Sequence, residues 1–225
     1  MRWLLLISLL VLAACSRPLT QTEKSFATQL YGPTIDVTRI RTRDGALVGN
    51  TTIRRQKRPR LTCRERILPE PTDEIVTVSP AAVVLYNDIF YAKDWYEPNF
   101  LPNYPDRMSL FHVMLFAHEL THVWQWQNRA ETNYTPIKSA SEHTRSDDPY
   151  LFDIATSTRF LDYGYEQQAS IVEEYICCKA LDPTAPRTQR LATMLRGAFP
   201  LGELRIADDV VLPWDGAETK GICRI

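Results

Sequence analysis

The chain is poor in glycine, with 8 among 225 residues, and poor in histidine, with 4. Few glycines leave few places for the backbone to turn through positive φ, and 15 prolines stiffen the loops instead. No charge of one sign dominates: 26 Lys and Arg stand against 27 Asp and Glu, a formal net charge of −1. That balance excludes the broad basic footprint of a nucleic-acid binder. The apolar run Trp3–Leu12 is far short of the roughly 20 residues that a spanning helix needs. No cysteine pair has CxxC spacing, so a thiolate zinc site has no sequence support. What remains is an ordinary globular composition, 44% hydrophobic and 24% charged, long enough for one substantial core.

Against that background one stretch stands out, residues 109–129, SLFHVMLFAHELTHVWQWQNR. It contains His118-Glu119-Leu120-Thr121-His122, an H-E-x-x-H motif. Residues four apart on a helix share a face, so both imidazoles can reach one metal ion with Glu119 beside them. Zn²⁺ suits neutral imidazoles and leaves a position open for water. Glu119 is then the catalytic candidate: it takes a proton from that water and delivers it to a leaving group. Leu110, Phe111, Val113, Met114, Leu115, Phe116, Ala117, Leu120, Val123 and Trp124 make the segment apolar on most sides, which implies a buried helix. Buried imidazole and carboxylate need partners, and a metal supplies them. The competing account is two core histidines bonded to backbone carbonyls beside an exposed Glu119.

The N-terminus reads as a targeting segment, residues 1–14. Arg2 precedes the apolar run, which ends in Leu12-Ala13-Ala14-Cys15. That ending resembles the lipobox of bacterial lipoproteins. The resemblance implies cleavage before Cys15, lipidation of its sulfur and amine, and, with Ser16 following, sorting to the outer membrane facing the periplasm. Anchoring by several acyl chains is stable where one chain is not. A plain secretory signal, cut elsewhere, is the alternative. Residues 15–33 then read as lipidated Cys and tether, with a short helix around Glu23–Leu30, and 34–225 as the domain. Four cysteines remain after export: Cys63, Cys177, Cys178 and Cys223. An even count in an oxidising compartment favours disulfides. Adjacent Cys177 and Cys178 do not pair with each other, so one reaches Cys63 and the other Cys223, in an order the sequence leaves open.

Ile35, Val37, Ile40, the turn Asp44-Gly45, and Leu47 and Val48 suggest a β-hairpin or an irregular strand pair. Arg54–Arg60 holds five cations in seven residues. It reads as a solvated, mobile loop, with anionic lipid or peptidoglycan as the alternative contact. Residues 81–91, AAVVLYNDIFY, read as a β-strand that either pairs with extended substrate along the site or is a buried core strand with no substrate role. Residues 130–149 are polar and read as a loop over the site. His143 within it is a candidate third ligand or transition-state donor, or simply exposed.

Residues 162–176 suggest a second packed helix through Ala169, Ile171, Val172, Tyr175 and Ile176. A catalytic zinc takes three protein ligands, and a carboxylate from this helix can be the third. Glu166 is preferred, three residues before a small Ala169 that lets the helices approach. Glu173, two turns on, is the alternative ligand or an acceptor for a ligating imidazole N–H. Tyr150, Tyr163, Tyr165 and His143 are candidate donors to an oxyanion.

HELTH followed by Glu166-Gln167-Gln168-Ala169 resembles the gluzincin arrangement of HExxH and a later E-x-x-A. The wider context over residues 81–178 is similar to zinc-metallopeptidase-like domains of bacterial Rhs- and VgrG-associated proteins. The resemblance implies His118, His122 and Glu166 as zinc ligands and Glu119 as general base. Ser170 stands where the thermolysin-like branch carries an Asp, so that branch does not fit. The expected fold is α+β and zincin-like, a metal-site helix pair packed on a small, mostly antiparallel sheet. The expected function is a zinc-dependent metallopeptidase of the cell envelope, held to the membrane through Cys15 and acting on a peptide or protein. A non-catalytic, zinc-stabilised envelope lipoprotein is the alternative, with an accidental motif as a third reading.

Overall fold

The computed structural model describes residues 16–45 and 52–224. Residues 1–14 and Cys15, with the signal segment and lipidation expected there, lie outside the described residues, as does the second arm of the expected hairpin at Leu47 and Val48. The architecture is α+β, a set of small sheets and helices around one apolar core.

The core is organised by helix α3, Leu110–Gln127, which follows strand β7, Arg107–Ser109. Its eighteen residues contain neither Gly nor Pro, and nearly all of them are buried. A helix that is apolar all round has no solvent face to offer and must be enclosed. Helix α6, Tyr165–Leu181, packs on α3 more extensively than any other element does. Ala169 is fully buried at that contact.

Residues 16–33 are not a tether. Strand β1, Ser16–Pro18, and helix α1, Gln21–Tyr31, belong to the core. A Thr20–Glu23 capping box starts α1, with Thr20 Oγ1 accepting the Glu23 N–H and Glu23 Oε2 accepting the Thr20 N–H. The buried Glu23 carboxylate also meets Arg17 at 2.7 Å and the Phe100 N–H at 3.0 Å. Phe26, Ala27, Leu30 and Tyr31 are fully buried. Tyr31 stacks on Trp124 at 6.1 Å, and its hydroxyl lies 2.7 Å from Thr121 Oγ1. An amphipathic stripe of that size cannot stay in water.

The 81–91 segment is a hairpin and not one strand. Strands β5, Ala82–Leu85, and β6, Asp88–Tyr91, pair antiparallel across a turn in which Tyr86 takes φ 63°. The main sheet has the order β1-β2-β6-β5, where β2 is Arg41–Asp44. It is antiparallel except for the β2–β6 pair. Strand β5 forms its edge and faces α3.

Strand β3, Ile53–Gln56, pairs antiparallel with β4, Ile75–Val78. The basic run is therefore not a mobile loop. Arg58 grips Asp148 through Nε at 2.5 Å and Nη2 at 2.7 Å, and Glu65 at 3.2 Å, while Lys57 meets Glu70 and Glu74. The polar 130–149 stretch is also not a loop: it forms α4, Arg129–Thr132, and α5, Pro136–Arg145. Thr135 accepts the Lys138 N–H and Pro136 occupies the first turn, both start signals for a helix.

Short helix α2, Cys63–Ile67, lies against α6. Cys63 is bonded to Cys177, and Cys178 to Cys223, so two consecutive residues of α6 hold α2 and the C-terminal tail. Helix α7, Pro186–Arg196, and strand β8, Asp209–Val211, which pairs with β7, complete the described residues. Among these, no helix is long and apolar enough to cross a membrane.

Candidate metal centre

His118 and His122 lie one turn apart on α3, with ring centroids 5.1 Å apart. Glu166 opens α6 directly opposite. Its Oε2 lies 3.3 Å from His118 Nε2 and 3.3 Å from His122 Nε2. A tetrahedral ion with bonds of about 2.0–2.1 Å sets its ligand atoms about 3.3–3.4 Å apart. All three residues are 5% exposed.

The tautomers follow from the surrounding bonds. Gln125 Nε2 donates to Tyr165 O and Gln168 Oε1, which turns Gln125 Oε1 toward His122 Nδ1 at 2.9 Å. The proton of His122 therefore sits on Nδ1, and the Nε2 lone pair points at Glu166. Glu173 Oε1 stands 3.3 Å from His118 Nδ1. That contact is poorly aligned for a hydrogen bond, and Nδ1 of His118 has no better partner among the described residues. Glu173 thus lies on the Nδ1 side, away from the point where the Nε2 atoms converge. Its carboxylate is held by Arg64 Nη1 at 2.9 and 2.8 Å.

The other oxygen of Glu166 is also occupied. Ser139 Oγ donates to Oε1 at 2.8 Å, and His143 Nε2 approaches it at 3.4 Å. Both come from one face of α5. His143 accordingly braces the carboxylate rather than joining the converging atoms. Helix α6 is fixed at this end by Glu142, whose carboxylate accepts the backbone N–H groups of Tyr165 at 2.8 Å and Glu166 at 3.0 Å. Gly164 leaves room for it, since a Cβ there would meet Glu142 Oε1 at 3.0 Å.

A cavity of about 330 Å³ opens onto this cluster. His118, Glu119, His122, Glu166 and Tyr150 line it, with β5 on one side and Pro136 and Ala140 of α5 on the other. Of the three tyrosine candidates only Tyr150 is there, its ring 5.7 Å from His118 and 5.4 Å from His143, under the Arg58 guanidinium. Tyr163 spends its hydroxyl on Asp153 O and Ser157 O. Tyr165 bonds the carbonyl of Asn133. Tyr134, which sequence reasoning passed over, lies 6.0 Å from His122 ring to ring.

The electrostatics are those of a place short of positive charge. Burial raises the Glu119 pKa, partly opposed by the two histidines. Burial works against the His118 imidazolium, but Glu166, Glu173 and Glu119 outweigh it and raise its pKa to about 10. Burial opposes the Glu173 carboxylate too, yet Arg64 and His118 lower its pKa to about 2. Glu166 is likewise held well below the carboxylate range, against burial, by His122 and His118. Three buried carboxylates around two imidazoles recruit protons when nothing else is present, and a divalent cation fits the same need. The sulfurs of Cys63, Cys178 and Cys223 also lie close together. Each is consumed in a disulfide, so they offer no thiolate site.

No protein-family model matches the chain. It is similar to the type VI secretion system spike protein VgrG2b of Pseudomonas aeruginosa strain PAO1, at 25% identity over 190 residues. The match takes in 84% of this chain and 16% of that protein, so the chain spans about a sixth of the spike protein's length. A solved structure described as the effector domain of Pseudomonas aeruginosa VgrG2b aligns with a TM-score of 0.49 and 22% identity, over 80% of this chain and 82% of that one. The similarity to the spike protein corrects the reading of the chain as a gluzincin-type metallopeptidase-like domain on a lipoprotein. It likewise corrects the envelope metallopeptidase and the non-catalytic zinc-stabilised lipoprotein drawn from that reading. The sequence similarity runs to a secretion-system spike protein.

Proposed function

We propose that the chain is an effector domain of the kind carried by VgrG2b, built around one Zn²⁺ ion held by His118, His122 and Glu166. The observation that carries the reading is one Glu166 oxygen at tetrahedral-edge distance from two imidazole Nε2 atoms inside a buried cluster. When bound, zinc supplies a Lewis acid and brings the pKa of a water molecule down to about 7.

The chain's own residues do the rest. Gln125 and Glu173 stand at the Nδ1 atoms, which leaves the Nε2 lone pairs facing inward. Ser139 and His143 hold the second oxygen of Glu166. Glu119 lines the cavity with a raised pKa, suited to taking up a proton at its carboxylate and returning it to a leaving group. Tyr134 and Tyr150 wall the site with aromatic surface and keep bulk water away. The balanced charge of the chain supports a substrate other than nucleic acid. Two disulfides support action outside the reducing cytosol, in the cell envelope.

Elemental analysis of residues 16–225, purified without chelator, tests this. About one zinc per chain is expected, lost in His118→Ala and in Glu166→Ala and kept in Glu119→Gln. No zinc in the parent protein, or zinc retained in both ligand variants, overturns the reading.

A further inference from the structure

The second sphere of the zinc-binding cluster reaches α6's neighbour α2 through one chain of contacts. His118 Nδ1 faces Glu173 Oε1 at 3.3 Å. Both oxygens of Glu173 are gripped by Arg64 Nη1. Arg64 belongs to α2, a helix of five residues. Such a short helix has no stability of its own, so something else must hold Arg64 in place.

Residue 63 does so. Cys63 is bonded to Cys177 of α6, and its backbone N–H donates to Glu174 Oε2 at 2.8 Å. Glu174 is fixed in turn by Arg187 Nε at 2.6 Å. The disulfide therefore sits one residue from the arginine on α2 and one turn from Glu173 on α6. Cys178–Cys223, on the next residue of α6, holds the C-terminal tail, and Cys178 Sγ lies 3.8 Å from Glu174 Oε1.

We propose that the Cys63–Cys177 disulfide controls the affinity of the His118–His122–Glu166 centre for zinc, by pinning Arg64 onto the positioning residue Glu173. In the oxidised protein Arg64 holds Glu173 against Nδ1 of His118, and the imidazole presents Nε2 to the metal. Reduction takes two electrons and two protons from a dithiol, breaks the S–S bond and leaves two thiols. Helix α2 then keeps its buried Ile67 in the core and its polar contacts to α6, with no covalent bond between the two helices. Arg64 leaves with it, and the buried Glu173 carboxylate loses its counter-charge and its fixed orientation. Re-formation needs a donor disulfide, which accepts the two electrons by thiol–disulfide exchange. A chain made in a reducing compartment thus holds zinc weakly, and holds it tightly after reaching an oxidising one.

The inference rests on the zinc reading above, and one experiment separates the two. Zinc affinity is measured by chelator competition for the oxidised protein, for Cys63→Ser with Cys177→Ser, for Cys178→Ser with Cys223→Ser, and for Arg64→Met with both disulfides intact. Loss of an outer partner of a metal ligand costs about 10–100-fold in affinity. A loss in that range is expected for the Cys63/Cys177 pair and for Arg64→Met, with the Cys178/Cys223 pair close to the parent. Should the Cys63/Cys177 pair fail to fold, Arg64→Met against the Cys178/Cys223 pair decides. Equal affinity throughout, or equal losses in both cysteine pairs, overturns the coupling and leaves the zinc site standing. No zinc in the oxidised parent overturns the zinc reading itself.

Discussion

The carboxylate of Glu142 accepts the backbone N–H of Glu166 at 3.0 Å. With the Tyr165 N–H on its other oxygen, a side chain from α5 caps α6 at the residue that faces the two imidazoles. A negative group at a helix N-terminus meets both orphan donors and the positive end of the dipole. Glu142→Ala is expected to cost about 1–2 kcal/mol in urea unfolding and to weaken zinc uptake, since it frees the turn that carries Glu166. An unchanged unfolding midpoint argues against this cap.

Helix α1 is part of the core, and its removal should behave as such. Phe26 is fully buried against Phe116 and Tyr104. Phe26→Ala is expected to cost about 3–5 kcal/mol. Tyr31→Phe removes the hydroxyl beside Thr121 and should cost about 1 kcal/mol. A tether would tolerate both changes without any shift in melting temperature, so differential scanning calorimetry distinguishes the two descriptions.

The metal-free protein should have a stability plateau bounded on both sides. His118 titrates near 6.5 ordinarily and at about 10 in the fold. A raised histidine pKa stabilises fully below the unfolded value, and this contribution fades as pH climbs from 6.5 through 10. Glu173 titrates near 4.5 ordinarily and at about 2 in the fold. A lowered carboxylate pKa stabilises above the unfolded value, and this contribution fades as pH falls from 4.5 through 2. Melting temperature in chelator is therefore expected to be highest between these limits. Zinc should raise it at neutral pH and flatten the alkaline decline, because the ion takes the place of the protons. Calorimetric titration in buffers of different ionisation enthalpy should register proton release on zinc uptake. Zinc binding with no proton release at neutral pH contradicts this account.

Removing Cys178–Cys223 opens a cross-link with a sequence separation of 45. Loop-closure entropy puts the cost at about 4 kcal/mol, read as a drop in urea midpoint. The loss should appear in stability alone, with zinc affinity near the parent value, since this bond ties down the tail.

Much of this molecule was readable in one dimension, and the boundary follows the range of the interactions. The 110–127 helix and the shared face of His118 and His122 are local: an apolar segment without Gly or Pro, and a spacing of four. Gln125, three residues after His122, was within the same helical reach. Helix α5 had its own local signal in Thr135-Pro136, and with it Ser139 and His143 would have fallen on one face. The polarity of 130–149 hid it, because a helix with one narrow contact face reads like a loop.

Other features were decided only by the fold. Glu166 and Glu173 lie two turns apart on the same face of α6, and sequence separates them weakly. The way α6 crosses α3 puts Glu166 at the Nε2 atoms and Glu173 at an Nδ1 atom. Tyr150, Tyr163 and Tyr165 were equivalent by distance along the chain, yet packing sends only Tyr150 into the cavity. The disulfide partners of Cys177 and Cys178 are set by which side of α6 each faces, toward α2 or toward the tail. Helical register, a matter of neighbouring dihedrals and the polarity pattern, was determined by the sequence by itself. The choice among chemically equal side chains passed to the tertiary structure, because it depends on where helices cross, and that follows from the packing of the whole core.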